Sequence, residues 1–401
     1  MARQFKSTDT SIWTEQFGNG KDGALTISSS AVFEVAISPF TTNANAFGTF
    51  TGTLGATSGT VTDGYGFWTS YVVTGDIVLI HQTYGTGAGN WELNVVTGGI
   101  PTSGGSSTLT LKYPLQNTYG TGTQIVKVPQ FTSFTLNNSI ITYPPVYNDS
   151  YGGILAFFCN GTTTISGTIY GDGRGFAGGG VPGNTTGYQG KSSTSVTVSN
   201  STSANGAGGG GGAWGNGASA GGGGGGGNGT SGANGLPGSR GAGIGGSTDG
   251  NTSLTDFNFG GGGGSGGWRD GQNGSPGSGG NGGAGIFIFT KNLVINGAIS
   301  NIGSNGNAKS GTGSHGAGGG GAGGSVLIKS ITATLGTNLV VANGGTGGVN
   351  GGSSNDGGNG GTGRIHLDYA GSYTGTTTPT LDVSQDSSLY PSGGSFLYNL
   401  L

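Results

Sequence analysis

The feature that most constrains this chain is a stretch between residues 206 and 363 that consists mainly of glycine. Glycine occupies 39 of the 80 positions from 206 to 285, with unbroken runs at 208–212, 221–227 and 260–264. Glycine loses more backbone freedom on ordering than any other residue and has no side chain to bury, so this stretch can form neither an ordinary helix nor an ordinary strand. It is either a disordered linker or a packed assembly that requires bare backbone.

The spacing of the glycines favours the packed assembly. Glycine recurs at every third residue in two runs, from Gly226 to Gly241 and from Gly271 to Gly283. A polyproline II helix has three residues per turn and no internal hydrogen bonds, so its amides and carbonyls need partners in neighbouring helices. Apolar segments at 286–295 and 325–335 interrupt the glycine, and a flexible tether has no use for them. We therefore predict packed glycine-rich polyproline II helices.

Composition excludes several classes of function. Charged residues make up 7% of the chain and the net charge is −3, so the chain lacks the basic surface that binds nucleic acid. The single cysteine, Cys159, lies in an apolar run and predicts a buried side chain without a disulfide. Neither a signal-peptide core nor an apolar run of transmembrane length occurs. We expect synthesis in a cytoplasm, no membrane insertion, and a surface rich in Ser, Thr and Asn that suits a virion component.

The first part of the chain reads as β-structure. Residues 1–30 predict an attachment segment that ends in a first strand. Residues 31–147 contain the strand-like segments AVFEVAI, FWTSYVV, DIVLIHQ, NWELNVV, TLTLKY, QIVKV, FTSFTL and SIITY, separated by turn formers. They predict a barrel, sandwich or compact roll of about eight strands. We expect Phe67, Trp68 and Trp91 in its core.

The remainder of the chain repeats a simple unit. An apolar strand, a turn, a second short strand and a glycine arm recur, beginning at GGILAFFC, GGAGIFIF, GGSVLIKS and GGTGRIHL. For residues 148–371 this predicts a β-roll or solenoid-like stack from which glycine arms emerge and pack side by side. Residues 372–401 predict a docking tail, because its final segment FLYNLL would be costly in water. The overall expectation is an all-β chain.

Chance motifs need to be set aside in a sequence this rich in glycine. GGSGG at 263–267 fits the nucleophile-elbow pattern, but no strand precedes it and no helix follows. The three histidines are isolated and show no zinc-ligand spacing. We therefore expect no metal, no cofactor and no enzymatic activity. A depolymerase remains an alternative, because a stacked fold could bring acidic residues together, and the candidates are Asp149, Asp172, Asp249, Asp256, Asp270 and Asp368.

Short segments of different character separate the glycine runs. If the glycine runs form a stiff bundle, these segments are its turns, and binding residues on loops held by a rigid scaffold are a common arrangement. Aromatic and charged side chains here offer flat faces and hydrogen bonds to a sugar or a protein surface. The predicted receptor-binding residues are Trp214, Phe257, Phe259, Trp268, Arg269, Asp270 and His315. The alternative is that the aromatic residues only cap the bundle against solvent.

Two parts of the sequence resemble known proteins. The segments GDIVLIHQTYGTGAGNWELNVV, TLTLKYPLQNTYGTGTQIVKVPQFTSFTL and GGILAFFCNGTTTISGTIYGDGRGFAGG resemble glycine-rich proteins of tailed-phage genomes and uncultured bacteria. The glycine runs with intervening loops are similar to the tail-fibre adhesins of T-even-like phages. That resemblance implies packed polyproline II helices whose tip loops recognise host surface receptors. This chain differs in its strand repeats and in its N-terminal β-domain.

Taken together, these features predict a phage tail-fibre or receptor-binding protein located in the virion tail. Its expected partners are a host surface glycan or outer surface protein, other tail or baseplate proteins, and further copies of itself, because several weak contacts acting together bind firmly. The main alternative is a bacterial extracellular filament or surface subunit that polymerises head to tail. A polysaccharide depolymerase and an ice-binding protein are further alternatives.

Overall fold

The computed structural model of the chain describes residues 16–35, 42–350 and 355–390. Within these ranges the regular structure is β-strand except for one turn of 3₁₀-helix at Ser387–Leu389. The prediction of an all-β chain is confirmed. A helix long and apolar enough to cross a membrane is not found in these ranges. The first half of the predicted attachment segment and the apolar FLYNLL segment lie outside the described residues.

Eighteen strands follow one another along the described chain. They are β1 (Ala24–Ile27), β2 (Ala31–Val32), β3 (Phe47–Gly52), β4 (Ser58–Tyr65), β5 (Ile77–Gln82), β6 (Trp91–Gly98), β7 (Ser106–Leu111), β8 (Thr123–Val128), β9 (Gln130–Phe131), β10 (Ser133–Leu136), β11 (Ile141–Tyr143), β12 (Ile154–Ile165), β13 (Thr168–Tyr170), β14 (Gly285–Ile295), β15 (Ala298–Ser300), β16 (Ser325–Val341), β17 (Arg364–Thr378) and β18 (Asp382–Gln385).

Strands β3 to β8 form a closed antiparallel barrel in the order β3-β4-β7-β6-β5-β8. Phe50, Val61, Leu109 and Ile125, one from each of four strands, are fully buried in a common apolar cluster. Successive side chains of a strand point to opposite faces, so each strand can direct one of these residues into a shared interior. Closure leaves no free edge. Of the three predicted alternatives, the structure has the barrel, with six strands rather than about eight.

Several details of this region differ from the sequence prediction. The segment FWTSYVV is a turn, because the Phe67 amide donates to the Asp63 carboxylate and the Val72 amide donates to the Trp68 carbonyl. Phe67 is buried as expected, but Trp68 is only partly buried. Trp91 packs outside the barrel, against Phe287 of β14, with ring centroids 5.3 Å apart.

The second architectural unit is a curled parallel sheet. Its path is β1-β10-β12-β14-β16-β15-β13-β11-β2, and β17 and β18 continue it beside β16. The long strand β16 joins two parts of this path, because its first half pairs with β14 and its last residues pair with β15. Ile154, Gly285, Ser325 and Arg364, the first residues of β12, β14, β16 and β17, lie side by side in register. The four repeats read from the sequence are therefore neighbours in the sheet.

This pairing cuts across the domain divisions drawn from the sequence. Strands β2, β9, β10 and β11 fall within 31–147 but pair in the parallel sheet rather than in the barrel. Strand β17 runs through the division drawn between residues 371 and 372. Strands β11 and β12 lie on either side of the division drawn between residues 147 and 148 but belong to the same sheet, so that division does not mark where one sheet ends.

Both faces of the central strands are buried. Phe157 and Ile288 point into the curl of the sheet, whereas Phe158 and Phe289 belong to the cluster on the opposite face, together with Leu79 of the barrel. Burial on both faces explains the continuous apolar runs ILAFFC and IFIF, which are typical of covered parallel strands. The barrel is thereby packed against one face of the sheet.

The glycine-rich segments contain neither helix nor strand and lie beside one another. The central one, 221–227, illustrates the arrangement because each of its seven amides and seven carbonyls makes a backbone hydrogen bond to another segment. The partner changes from one residue to the next and returns after every third. Amides donate to 207–213, 233–236 and 317–320 in turn, and carbonyls accept from 261–267, 243–246 and 358–361 in turn.

The segments approach so closely that no side chain fits between them. A Cβ atom added to Gly223 would lie 2.1 Å from the Gly264 carbonyl oxygen, and one added to Gly226 would lie 2.0 Å from the Gly261 carbonyl oxygen. Such distances are far inside van der Waals contact, and the obstacle is backbone that cannot rotate away. Bare backbone is therefore a packing requirement here.

Candidate functional site

The glycine segments have a sheet end and a free end. Three of them run directly into β14, β16 and β17 at the sheet end. At the other end, loops connect them, and we call the loops 213–219, 236–241, 268–276 and 309–315 the distal loops. Backbone hydrogen bonds join neighbouring loops, from the Gly215 amide to the Trp268 carbonyl and from the Ser310 amide to the Ser275 carbonyl. The distal loops are therefore a cluster held by the packed segments behind them.

Trp268 and His315 form the inner part of this cluster. Their ring centroids are 5.0 Å apart and the ring planes are inclined by 65°. His315 is fully buried, and its Nδ1 accepts a hydrogen bond of 3.0 Å from the Arg269 amide. Burial lowers the pKa of His315, which favours the neutral imidazole. His315 therefore positions the 268–270 loop.

Trp214 and Asp270 form the outer part. The Trp214 Nε1 donates to Asp270 Oδ1 at 3.1 Å, and 36% of the Trp214 surface is exposed. Gly215 pairs with Arg269 in an isolated parallel bridge, which places the two loops side by side. The result is an exposed indole with a carboxylate fixed at its edge and an arginine on the adjoining residue. Such a surface can stack on a flat apolar face and exchange hydrogen bonds beside it.

The structure thus brings together five of the seven predicted binding residues, namely Trp214, Trp268, Arg269, Asp270 and His315. Phe257 and Phe259 are elsewhere. They are buried at 0% and 1% exposure, and the Phe257 ring stacks on Phe287 at a centroid distance of 4.0 Å. Their inclusion in a receptor-binding site is therefore corrected: these side chains present no surface to a partner, because they fill the junction between barrel, sheet and glycine segments.

Sequence reasoning missed two exposed apolar residues at the distal end, Leu236 and Val349. They are 45% and 63% exposed. The Leu236 amide donates to the Asp356 carbonyl, and the Asp356 carboxylate accepts from the Asn350 amide at 2.6 Å, so the two loops adjoin. Each is a single apolar residue within polar, glycine-rich surroundings. That isolation is the signal that could have identified them.

The candidate acidic residues of a depolymerase are mostly dispersed in structural roles. Asp172 accepts from the Ser300 hydroxyl, Asp368 pairs with Lys329, and Asp270 holds Trp214. Asp249 and Asp256 do come together, at the junction with the barrel. Within the described ranges, no three His, Cys, Asp or Glu side chains gather in a geometry that could hold a metal ion.

The chain was also compared with known proteins. No family model matches the chain. No curated protein shows significant sequence similarity to it.

Proposed function

We propose that this chain is a receptor-binding protein of a phage tail fibre and that its distal loops attach the virion to a host cell surface. The observation that carries the proposal is the convergence of Trp214, Trp268, Arg269 and Asp270 at the end of a scaffold whose backbone groups are paired. Exposed aromatic residues and arginine are the side chains that dominate protein recognition sites.

We infer that the scaffold itself consists of polyproline II helices. A hydrogen-bond partner that returns at every third residue fits a helix with three residues per turn. Segment 221–227 would then be a central helix surrounded by six others. Three of them accept hydrogen bonds from its amides, and three donate hydrogen bonds to its carbonyls. A scaffold fixed in this way loses little entropy when its loops bind, and preorganisation of this kind favours affinity.

The geometry favours non-covalent attachment. Trp214 and Asp270 are hydrogen-bonded to each other, and His315 is buried rather than presented to solvent. Firm adhesion through such small patches requires several copies acting together, so we expect an oligomer or several copies per particle. Its partners would be a host surface glycan or outer surface protein and other tail proteins.

The experiment compares cell binding by the wild type and by the double variant Trp214→Ala, Trp268→Ala. A panel of bacterial strains is first screened for saturable binding of the fluorescently labelled wild type. The double variant is expected to lose at least about tenfold in apparent affinity, because each aromatic anchor contributes on the order of 1–2 kcal/mol.

Tyr170→Ala is the matched control. Tyr170 lies on β13 and is 39% exposed, close to the 36% of Trp214, but it belongs to the sheet. The control should bind as the wild type does. Equal binding by the double variant and the control would remove the distal loops from the receptor site, and absence of saturable binding on every strain would count against attachment as the function.

A further inference from the structure

A lysine and an aspartate meet where the start of the parallel sheet adjoins the barrel. Lys21 lies in the turn before β1, and Asp76 lies in the turn before β5. The Lys21 Nζ contacts Asp76 Oδ1. The Lys21 side chain is 28% exposed, whereas that of Asp76 is only 1% exposed. The amine of Lys21 therefore reaches inward to a carboxylate that is shielded from water.

The second oxygen of this carboxylate faces donors that are fixed in place. The Val73 amide donates to Asp76 Oδ2 at 2.9 Å, and the Lys127 Nζ lies 3.8 Å from the same oxygen. Lys127 is 4% exposed, and its Nζ also donates to the Thr42 and Tyr71 carbonyl oxygens at 2.7 Å each. Preorganised donors around one oxygen stabilise negative charge that develops on it during a reaction. One oxygen of Asp76 thus faces an amine, and the other lies in an oxyanion hole.

A second carboxylate stands beside the two lysines. Asp22 follows Lys21 in the same turn, and its Oδ2 accepts a hydrogen bond of 2.7 Å from the Gln130 amide, which fixes the carboxylate. Burial lowers the pKa of Lys21, the negative charge of Asp22 opposes this, and the positive charge of Lys127 adds to the lowering. A lowered pKa favours the neutral amine, which is the nucleophilic form of lysine.

The surroundings differ from those of an ordinary surface ion pair. Lys191 and Asp149 form such a pair, with side chains that are 23% and 37% exposed, and among the described residues no second lysine pairs with Asp149. Water stabilises both charges there. At Asp76 the charged groups are withdrawn from water, which costs free energy, and a covalent amide would remove both charges.

We propose that Lys21 and Asp76 join in an intramolecular amide bond, an isopeptide bond. The Lys21 Nζ attacks Cγ of Asp76, and an electron pair moves onto Oδ2, where the Val73 amide and Lys127 stabilise it. When that pair returns, the bond between Cγ and Oδ1 breaks. Asp22 carries two protons, one after the other, from Nζ to Oδ1. One water molecule therefore leaves, and the net charge of the pair is unchanged.

The bond would fasten the start of the sheet to the barrel. Lys21 and Asp76 are 55 positions apart in the sequence, so the covalent loop would enclose β1 to β4. A link that closes a long loop restricts the unfolded chain and thereby stabilises the folded one. This proposal does not rest on the distal loops.

Mass spectrometry of the denatured full chain tests the proposal. The wild type is expected to be lighter than its sequence by one water molecule, and its tryptic digest is expected to contain a branched peptide that joins Lys21 to Asp76. A succinimide at Asp22 and Gly23 would also remove one water molecule, but it leaves the peptides unbranched. Either the full sequence mass or a mass loss without a branched peptide would overturn the proposal.

Two variants separate the reacting groups from the proton carrier, and circular dichroism checks that each variant is folded. Lys21→Arg keeps a positive charge beside Asp76, but a guanidinium is not a nucleophile, so this variant should keep its full mass and melt at a lower temperature. Asp22→Asn is expected to slow bond formation at least about a hundredfold, measured as the fraction of bonded chain over time after purification.

Lys191→Arg is the matched control, because it changes the lysine of the exposed ion pair with Asp149. It should lose one water molecule as the wild type does. A branched peptide in Lys21→Arg, or one that joins a different lysine in the wild type, would overturn the site assignment. Bond formation in Asp22→Asn that is as complete as in the control would overturn the role of Asp22.

Discussion

The barrel and the glycine region satisfy the same physical requirement in opposite ways. In the barrel, ladders of hydrogen bonds run along strands whose side chains, such as Ile125, are fully buried between them. In the glycine region, segment 221–227 bonds to six neighbours in rotation, and no side chain separates the backbones. Both arrangements pair their buried backbone groups, as a protein interior demands.

The difference shows what each region tolerates. A barrel position depends on the volume of its side chain, because removal leaves a cavity. A position such as Gly226 depends on having no side chain, because any addition meets a carbonyl oxygen. The two regions should therefore respond to opposite kinds of substitution.

The largest effect is expected from adding a methyl group to the central glycine segment. Gly226→Ala places its Cβ 2.0 Å from the Gly261 carbonyl oxygen, so two segments must separate and give up hydrogen bonds. The expected loss exceeds about 4 kcal/mol in the free energy of unfolding. Thermal unfolding monitored by calorimetry measures it.

Gly183→Ala is the control for this substitution, because a Cβ at Gly183 meets no atom within 4 Å. It should leave the melting temperature nearly unchanged. Similar melting temperatures for the two variants would show that the central segment is not tightly packed.

A smaller loss is expected from removing a side chain in the barrel. Ile125→Ala deletes buried methyl groups from β8 and should cost about 3 kcal/mol. Leu54→Ala, at a position that is 62% exposed, should cost less than about 0.5 kcal/mol. Denaturant titration of both variants measures the difference, and equal losses would contradict the assignment of Ile125 to the core.

The junction between the regions is expected to weaken in acid through His81. Its Nε2 is 2.8 Å from the Phe257 carbonyl oxygen, its ring stacks on Phe259, and burial lowers its pKa to about 4 from 6.5. The unfolded chain therefore binds more protons between these values. Stability is fully present above pH 6.5 and falls by up to ~3 kcal/mol as the pH approaches 4.

His81→Gln separates this contribution from other titrating groups. Glutamine retains an N–H donor for the Phe257 carbonyl and does not titrate, so the variant should lose less stability between pH 6.5 and 4 than the wild type. Urea unfolding at several pH values gives both slopes, and identical slopes would exclude His81 as the source.

The smallest effect is expected from a surface ion pair of the glycine region. Lys191 and Asp149 are paired, but their side chains are 23% and 37% exposed, so water screens them. Asp149→Asn should change the free energy of unfolding by less than about 1 kcal/mol. A larger loss in denaturant titration would mean that charge, and not backbone packing alone, holds these segments in place.

Sequence reasoning succeeded where local pattern and tertiary environment agree. The apolar runs that begin at Ile154, Gly285 and Ser325 became three neighbouring strands in register, because each follows a glycine arm at the same point of the repeat. Trp214 and Trp268 fell in loops because long glycine runs flank them, and the structure places both at the distal end.

It failed where a distant contact decides the outcome. Strands β3 and β4 are rich in Gly and Thr, so they lack the apolar alternation of a strand and are fixed by their barrel neighbours. Phe257 and Phe259 share the sequence surroundings of the distal loops, yet they are buried against Phe287 and His81, which lie far away in sequence. The sequence offers no local signal for that packing.

By itself, the sequence determined that the chain is β-structured and favoured packed backbone over a disordered linker for its glycine-rich part, since glycine recurs at every third residue and every amide needs a partner. Only the tertiary structure decided which segments became neighbours, which aromatic residues face solvent, and that the barrel packs against one face of the parallel sheet. The reason is physical. The periodicity of backbone hydrogen bonds follows from the local sequence, whereas burial depends on contacts between distant residues, such as His81 and Phe257, that form only on folding.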